Sequence, residues 1–245
     1  ELIKSSMPEQ RFKELYELIP SDDAQNPFGL NFINACISDD VDIDKQVICY
    51  GVDVASRVDY SCVCGINLDN TINYLDNFQS SWHLTKEKIR SLVDCTSTST
   101  QNHTPICIDS TGVGSPITED LSRDRDNIYP FIFTSKSKTK LIENLIVAIQ
   151  NRAIKIPRKF NILIEQLNNY GQYRNELGYI SYKAQGNGHD DAVCALGLCL
   201  WAKQKHIQNY SLLPALIDSN DTNNIFNDNG WTNINDPDSN FNQYY

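Results

Sequence analysis

The chain has 245 residues, 40% of them hydrophobic and 21% charged, with a formal net charge of -10. That apolar content supports a soluble globular chain with a real core, and no run approaches the roughly 18 apolar residues that span a bilayer. Taken whole, the acidity argues against a nucleic-acid partner.

The sequence starts at Glu1 rather than Met, as expected of a piece of a longer polypeptide, and its polar first residues are unlike a signal peptide. Phe12, Leu15, Tyr16 and Ile19 recur at helical spacing, which predicts a helix over 9–19 that Pro20 stops. Asn26-Pro27-Phe28-Gly29 is a turn, followed by a short apolar piece from Leu30 to Ile37 and an acidic run from Asp39 to Asp44. From Gln46 the texture is that of an α/β domain. Val47 to Val52 reads as a buried strand, Tyr60 to Asn67 as its hairpin partner and Thr71 to Phe78 as a third strand. Thr85 is the expected N-cap of a helix towards Cys95. Pro105 to Ile108 is a strand ending at Asp109, and Gly112 and Gly114 form a tight loop before a helix near 117–121. A strand over 128–133, a helix over 138–152, a short strand at 154–156, a helix over 160–167 and a strand over 178–182 follow. Asp190-Asp191 then opens an apolar helix through Trp201.

Eight cysteines lie mostly beside Val, Ile or Ala, like small core hydrophobes, and no C-x-x-C pair suggests structural zinc. Reduced thiols and a cytoplasmic setting are expected, which makes the glycosylation-like triplets at 102–104 and 209–211 chance matches.

Three acidic positions fall where chemistry is built. Asp53 and Asp109 each end a hydrophobic strand, and Asp190 and Asp191 open the last helix. Each alone also fits a turn former or helix cap. Together, in the order strand, strand, final helix, they are oxygen ligands on separate rigid elements, as a hard divalent cation requires. Neighbours on a helix point about 100° apart, so only one of Asp190 and Asp191 need face a metal. His189 is either a ligand or general base, or a surface residue of its loop. The P-loop pattern occurs nowhere, and the Gly112/Gly114 pair more simply turns the backbone tightly beside Asp109.

At these residues the sequence resembles the nuclease domain of the large terminase subunit of tailed bacteriophages. Gly51-Val52-Asp53-Val54-Ala55 is similar to its first-strand motif, and Ile108-Asp109-Ser110-Thr111-Gly112-Val113-Gly114 to its second acidic motif. Gly188-His189-Asp190-Asp191-Ala192 through Leu196 is similar to its closing helix motif. The basic segment 133–141 with 154–157, and the turn 26–29 as a connector, agree, so the likeness spans about residues 8 to 203. It implies an RNase H-like α/β fold, a central mixed sheet of about five or more strands with helices on both faces. It also implies a metal-dependent endonuclease that cuts concatemeric viral DNA during packaging, with two Mg²⁺ or Mn²⁺ ions. By motif, Asp53 would bridge both ions, Asp109 would hold one and Asp191 the other. Asp190 is then an alternative or supporting ligand.

The implied partners are double-stranded DNA, the portal protein, the small terminase subunit and an ATPase domain normally in the same polypeptide. That ATPase domain is not within these residues, so DNA translocation is not expected of them. The setting is the host cytoplasm, with no membrane. Lys136, Lys138 and Lys140 are the first candidates for DNA contact, and Arg152, Lys155, Arg158 and Lys159 weaker ones, although such runs are also ordinary solvated faces. Competing readings are a resolvase or transposase-like nuclease of the same superfamily and a non-catalytic docking module. An actin-like ATPase would need two duplicated halves, and the chain has one.

The expected organisation is a helical connector over 1–44, a nuclease domain over 45–206 and an acidic, flexible tail over 207–245, which binds a partner such as the portal or is simply disordered. Charge follows these divisions. Residues 1–44 have three Lys+Arg against ten Asp+Glu, residues 206–245 none against five, and residues 45–205 eighteen against sixteen. The acidity belongs to the flanks, which leaves a near-neutral core able to meet phosphate once cations are bound.

Overall fold

Five strands form the central sheet of this computed structural model: β2 (Cys49–Asp53), β3 (Ser61–Ile66), β4 (Ile72–Phe78), β5 (Ile106–Asp109) and β6 (Ile128–Phe131). They lie in the order β4-β3-β2-β5-β6, with β2, β3 and β4 antiparallel and β2, β5 and β6 parallel. The sheet is therefore mixed, with β2 at its centre. The structure describes residues 3, 6–19, 26–42, 44–55, 59–96, 104–112, 114–123, 125 and 127–211, apart from the side chains of 93–96 and 206–211.

Alternation along the strands splits the core into two layers. Cys49, Cys62, Cys64 and Cys107 share one core cluster with α2 (Leu30–Cys36), α5 (Ser135–Gln150), α6 (Asn161–Asn168) and α7 (Asp191–Ser211). Tyr50, Val52, Val63, Ile106 and Ile108 belong to the other, with Ile89 of α3 (Trp82–Thr96) and Ile117 and Leu121 of α4 (Gly114–Ser122). Helices on both faces and a five-stranded mixed sheet are the expected RNase H-like layout.

Small residues on the α7 face let that helix sit close. A Cβ on Gly51 would lie 2.1 Å from the Ala195 carbonyl oxygen and 2.2 Å from the Cys199 nitrogen, so only glycine fits. Phe28, Ile33 and Cys36, from the expected connector, are buried in the same cluster. Strand β1 (Ile37–Ser38) pairs in parallel with β7 (Ile156–Pro157), tying that region to the domain. The seven described cysteines carry free thiols, and Cys95 lies outside the described side chains. Among the described residues no helix is long and apolar enough to cross a membrane.

Several boundaries differ from the sequence reading. The helix expected over 9–19 is a short α1 (Glu9–Phe12) that continues as a π-helical stretch, Lys13–Glu17. Helix α3 begins at Trp82, so Thr85 is not its N-cap; the Thr85 hydroxyl instead bonds that of Ser80 at 2.7 Å. Helix α5 starts three residues before Lys138 because Thr134 and Ser137 form a capping box. A strand was missed altogether: β8 (Tyr170–Arg174) pairs antiparallel with β9 (Ile180–Ala184). Helix α7 runs on to Ser211, beyond the expected end of the domain, and residues 212–245 of the expected tail lie outside the described residues.

Candidate metal and nuclease centre

Val52 is registered against Ile108 across parallel β2 and β5, and the next residue on each strand is Asp53 and Asp109. By alternation Asp53 follows Cys49 and Gly51, and Asp109 follows Cys107, so both face α7. Burial drives the Asp53 carboxyl well above the usual carboxylate range; Asp109, Asp191 and Asp190 add to the rise and the Lys138 ammonium opposes it. Asp109 is 7% exposed and its carboxylate accepts the Thr111 N–H at 2.8 Å. Burial raises its carboxyl too, while the Thr111 bonds and Lys138 pull it down. The loop after β5 is tight: a Cβ on Gly114 would meet the Asp109 carbonyl oxygen at 1.7 Å, which explains the glycine at the start of α4.

The start of α7 supplies the other carboxylates, and they differ. Asp190 Oδ2 accepts from Lys138 Nζ at 2.8 Å and from the Tyr170 hydroxyl at 3.1 Å. Asp191 Oδ2 is buried with no hydrogen-bond donor. Burial pushes the Asp191 carboxyl up to about 6, with Asp59 and Asp190 adding to the rise and His189 and Lys138 opposing it. His189 Nδ1 stands 3.7 Å from Asp191 Oδ2 and 3.8 Å from Asp59 Oδ1. One ligand atom each from Asp59, His189 and Asp191 lie within 4.8 Å of one another, the group among the described residues drawn close enough to hold one ion. Asp53 and Asp109 lie outside that trio.

Asp59 escaped the sequence reading. It sits between β2 and β3, six residues past Asp53, and only the pairing of β3 back on β2 returns it to the carboxyl end of β2. The lysines separate as well. Lys138 reaches into the carboxylate cluster, whereas Lys136 is exposed on the first turn of α5 and Lys140 lies half-buried one turn on. Arg152, Lys155, Arg158 and Lys159 follow the far end of α5, roughly 24 Å along a 16-residue helix. There Arg158 pairs with Asp39, and Lys155 bridges to Thr71 at the opposite end of the sheet from Asp53. The structure does not bring these four to the carboxylates.

Comparison with known sequences decides the family. The Terminase RNaseH-like domain pattern matches residues 50–203, from β2 to α7. The chain belongs to the terminase RNaseH-like domain family. The large terminase subunits of Thermus phage G20c and Thermus virus P23-45 are each 30% identical to it over 156 residues, 62% of this chain and 31% of theirs. The chain thus spans about a third of the length of those relatives. The crystal structure of the G20c large terminase nuclease superposes with a TM-score of 0.59 at 24% identity, covering 72% of this chain and 98% of that one. Its form with bound magnesium gives 0.57, covering 76% and 99%. The large terminase nuclease domain of Thermus phage P74-26 gives 0.55 at 23% identity, over 69% of this chain and 92% of that one. These superpositions bear on the fold: the RNase H-like terminase domain has the same mixed sheet flanked by helices.

Proposed function

We propose that this domain is the nuclease of a phage large terminase subunit, a divalent-cation-dependent endonuclease that cuts concatemeric viral DNA during packaging. The observation that carries the reading is that Asp53 and Asp109 end neighbouring interior strands, while the charges of Asp109, Asp191 and Asp190 all act on the Asp53 carboxyl. Asp191 Oδ2 adds a test of fit. It is a buried carboxylate oxygen without a donor, which is costly unless a cation takes it. The magnesium-bound form of the G20c nuclease supports the same reading by family.

Asp53, Asp109 and Asp191 would hold Mg²⁺ or Mn²⁺, two ions in the full site, with His189 and Asp59 flanking Asp191 on its outer side. Bound cations of this kind supply water activation and charge stabilisation at the leaving oxygen of a phosphodiester. The protein's own residues do the rest. Burial of Asp53 and Asp109 excludes bulk water and keeps the ligand oxygens fixed on strands. Lys138 offsets part of the crowded negative charge, so that a polyanion is not repelled outright. Lys136 and Lys140, on the first two turns of α5, are the DNA contacts nearest the site.

On this reading residues 1–44 link to an ATPase domain, residues 45–206 form the nuclease and residues 207–245 are a tail for a packaging partner. Portal protein, small terminase subunit and DNA are the partners, met in the host cytoplasm. The test is plasmid nicking in Mn²⁺ by the whole chain, which Asp53→Ala should abolish. Cleavage retained by that variant would sink the assignment. Comparing linear, supercoiled and four-way substrates separates a terminase nuclease from a resolvase.

A further inference from the structure

We propose that Asp190 is not a cation ligand but the centre of a clamp, formed with Lys138 and Tyr170, that fixes the first turn of α7 and leaves Asp191 as the carboxylate offered to a cation. The inference rests on reading that site as a divalent-cation centre.

Two donors already occupy the same oxygen of Asp190. Lys138 Nζ lies 2.8 Å from Oδ2 and the Tyr170 hydroxyl 3.1 Å from it. Both donors come from rigid places. Lys138 stands on the first turn of α5, held by the box in which Ser137 N–H donates to Thr134 Oγ1 at 3.0 Å and Thr134 N–H to Ser137 Oγ at 2.7 Å. Tyr170 starts β8, is fully buried, and packs its ring on Phe28 at 5.4 Å.

The backbone around Asp190 is tied as well. The Ala192 N–H donates to Gln166 Oε1 at 2.8 Å, and the Cys194 N–H to the Asp190 carbonyl at 2.9 Å. The opening turn of α7 is thus bound to α5, α6 and β8 at once. Neighbouring helix residues diverge by about 100°. With Asp190 drawn into the clamp, Asp191 is left towards His189 and Asp59, where its Oδ2 has no donor.

A cation bound to Asp190 Oδ2 would have to displace an ammonium and a hydroxyl, whereas one at Asp191 Oδ2 displaces neither. The adjacent carboxylates therefore divide the work: Asp190 positions, and Asp191 is offered. Lys138 and Tyr170 are positioning residues, acting through Asp190.

The experiment is calorimetric titration of the whole chain with Mn²⁺ alone, without DNA, alongside thermal melts of the same samples. Asparagine at 190 keeps an acceptor oxygen for both donors and alanine does not. Asp190→Ala should weaken Mn²⁺ binding about tenfold or more, and Asp190→Asn by about threefold or less. Equal losses in the two variants would make Asp190 a ligand and overturn the clamp, as would no loss in either. Should Asp190→Ala not fold, Tyr170→Phe removes one donor and no charge. It should weaken binding by about threefold, and unchanged binding overturns the proposal. A wild-type chain that neither binds Mn²⁺ nor gains melting temperature from it overturns the cation centre itself. Wild-type binding with indifferent variants overturns the clamp alone.

Discussion

Asp53 and Asp109 stand side by side on parallel strands, one step beyond the paired Val52 and Ile108. Burial raises both carboxyls, and the charge of Asp109 raises that of Asp53 further. Without a cation, the pair therefore works against the fold at neutral pH. Asp53→Asn removes one charge at nearly constant shape. It should raise the melting temperature of the metal-free protein by about 2–4 °C per kcal/mol relieved, while lowering Mn²⁺-dependent nicking by about a hundredfold or more. Calorimetric melts in a chelator, paired with plasmid nicking, check both halves. A variant that melts lower than wild type in chelator contradicts the repulsion.

The Asp191 carboxyl makes the same point through pH. Its value in the fold is about 6 against an ordinary 3.8, chiefly through burial. A carboxyl raised on folding binds its proton more tightly in the native state. Its favourable contribution is therefore complete below about 3.8 and is lost as pH rises through about 6. Metal-free wild type should lose stability across that window relative to Asp191→Asn, whose profile lacks this component. Denaturant melts at half-unit steps of pH, in chelator, measure the difference, and parallel profiles for the two proteins refute it. Saturating Mn²⁺ should abolish the loss, since the bound cation favours the ionised form.

Packing of α7 on β2 gives a prediction independent of chemistry. A methyl on Gly51 would meet backbone atoms of Ala195 and Cys199 at 2.1 and 2.2 Å, and backbone cannot turn aside as a flexible side chain can. Gly51→Ala should push α7 off the sheet, costing about 3 kcal/mol or more and dropping the melting temperature by about 6–12 °C. Because α7 carries Asp191, Mn²⁺ affinity should fall with it. A variant that melts like wild type shows that the helix can shift without loss.

How much of this was written in the sequence depends on the range of the interaction. Asp53 and Asp109 were legible because each closes a short apolar run, and a strand end is a local pattern. Asp191 was legible as the start of an apolar helix. What separates it from Asp190 was not, since the partners Lys138 and Tyr170 lie 52 and 20 residues away. Asp59 was missed for the same reason: its approach to His189 spans 130 residues and exists only once β3 pairs back on β2. Strand β8 was missed because Tyr170-Gly171-Gln172-Tyr173-Arg174 lacks an alternating apolar pattern, and it is held by pairing with β9. Lys138, read as a DNA contact from its place in a basic run, is spent in large part on Asp190.

The remaining lysines make a spatial prediction. Lys136 stands on the first turn of α5, two residues before Lys138, whereas Arg158 lies past the far end of that helix in an ion pair with Asp39. Each phosphate contact contributes about 0.9 to the slope of log affinity against log salt on duplex DNA. In an Asp53→Ala background, or in chelator, where no cutting is expected, Lys136→Ala should reduce that slope by about 0.9 and weaken binding evenly across sequences. Arg158→Ala should leave both slope and affinity as they were, because its partner is a carboxylate and its position faces away from the site. Binding isotherms between low and moderate salt distinguish the two basic ends. A slope lost through Arg158 rather than Lys136 would move the DNA path to the β1–β7 side of the domain, away from the proposed centre of Asp53, Asp109 and Asp191.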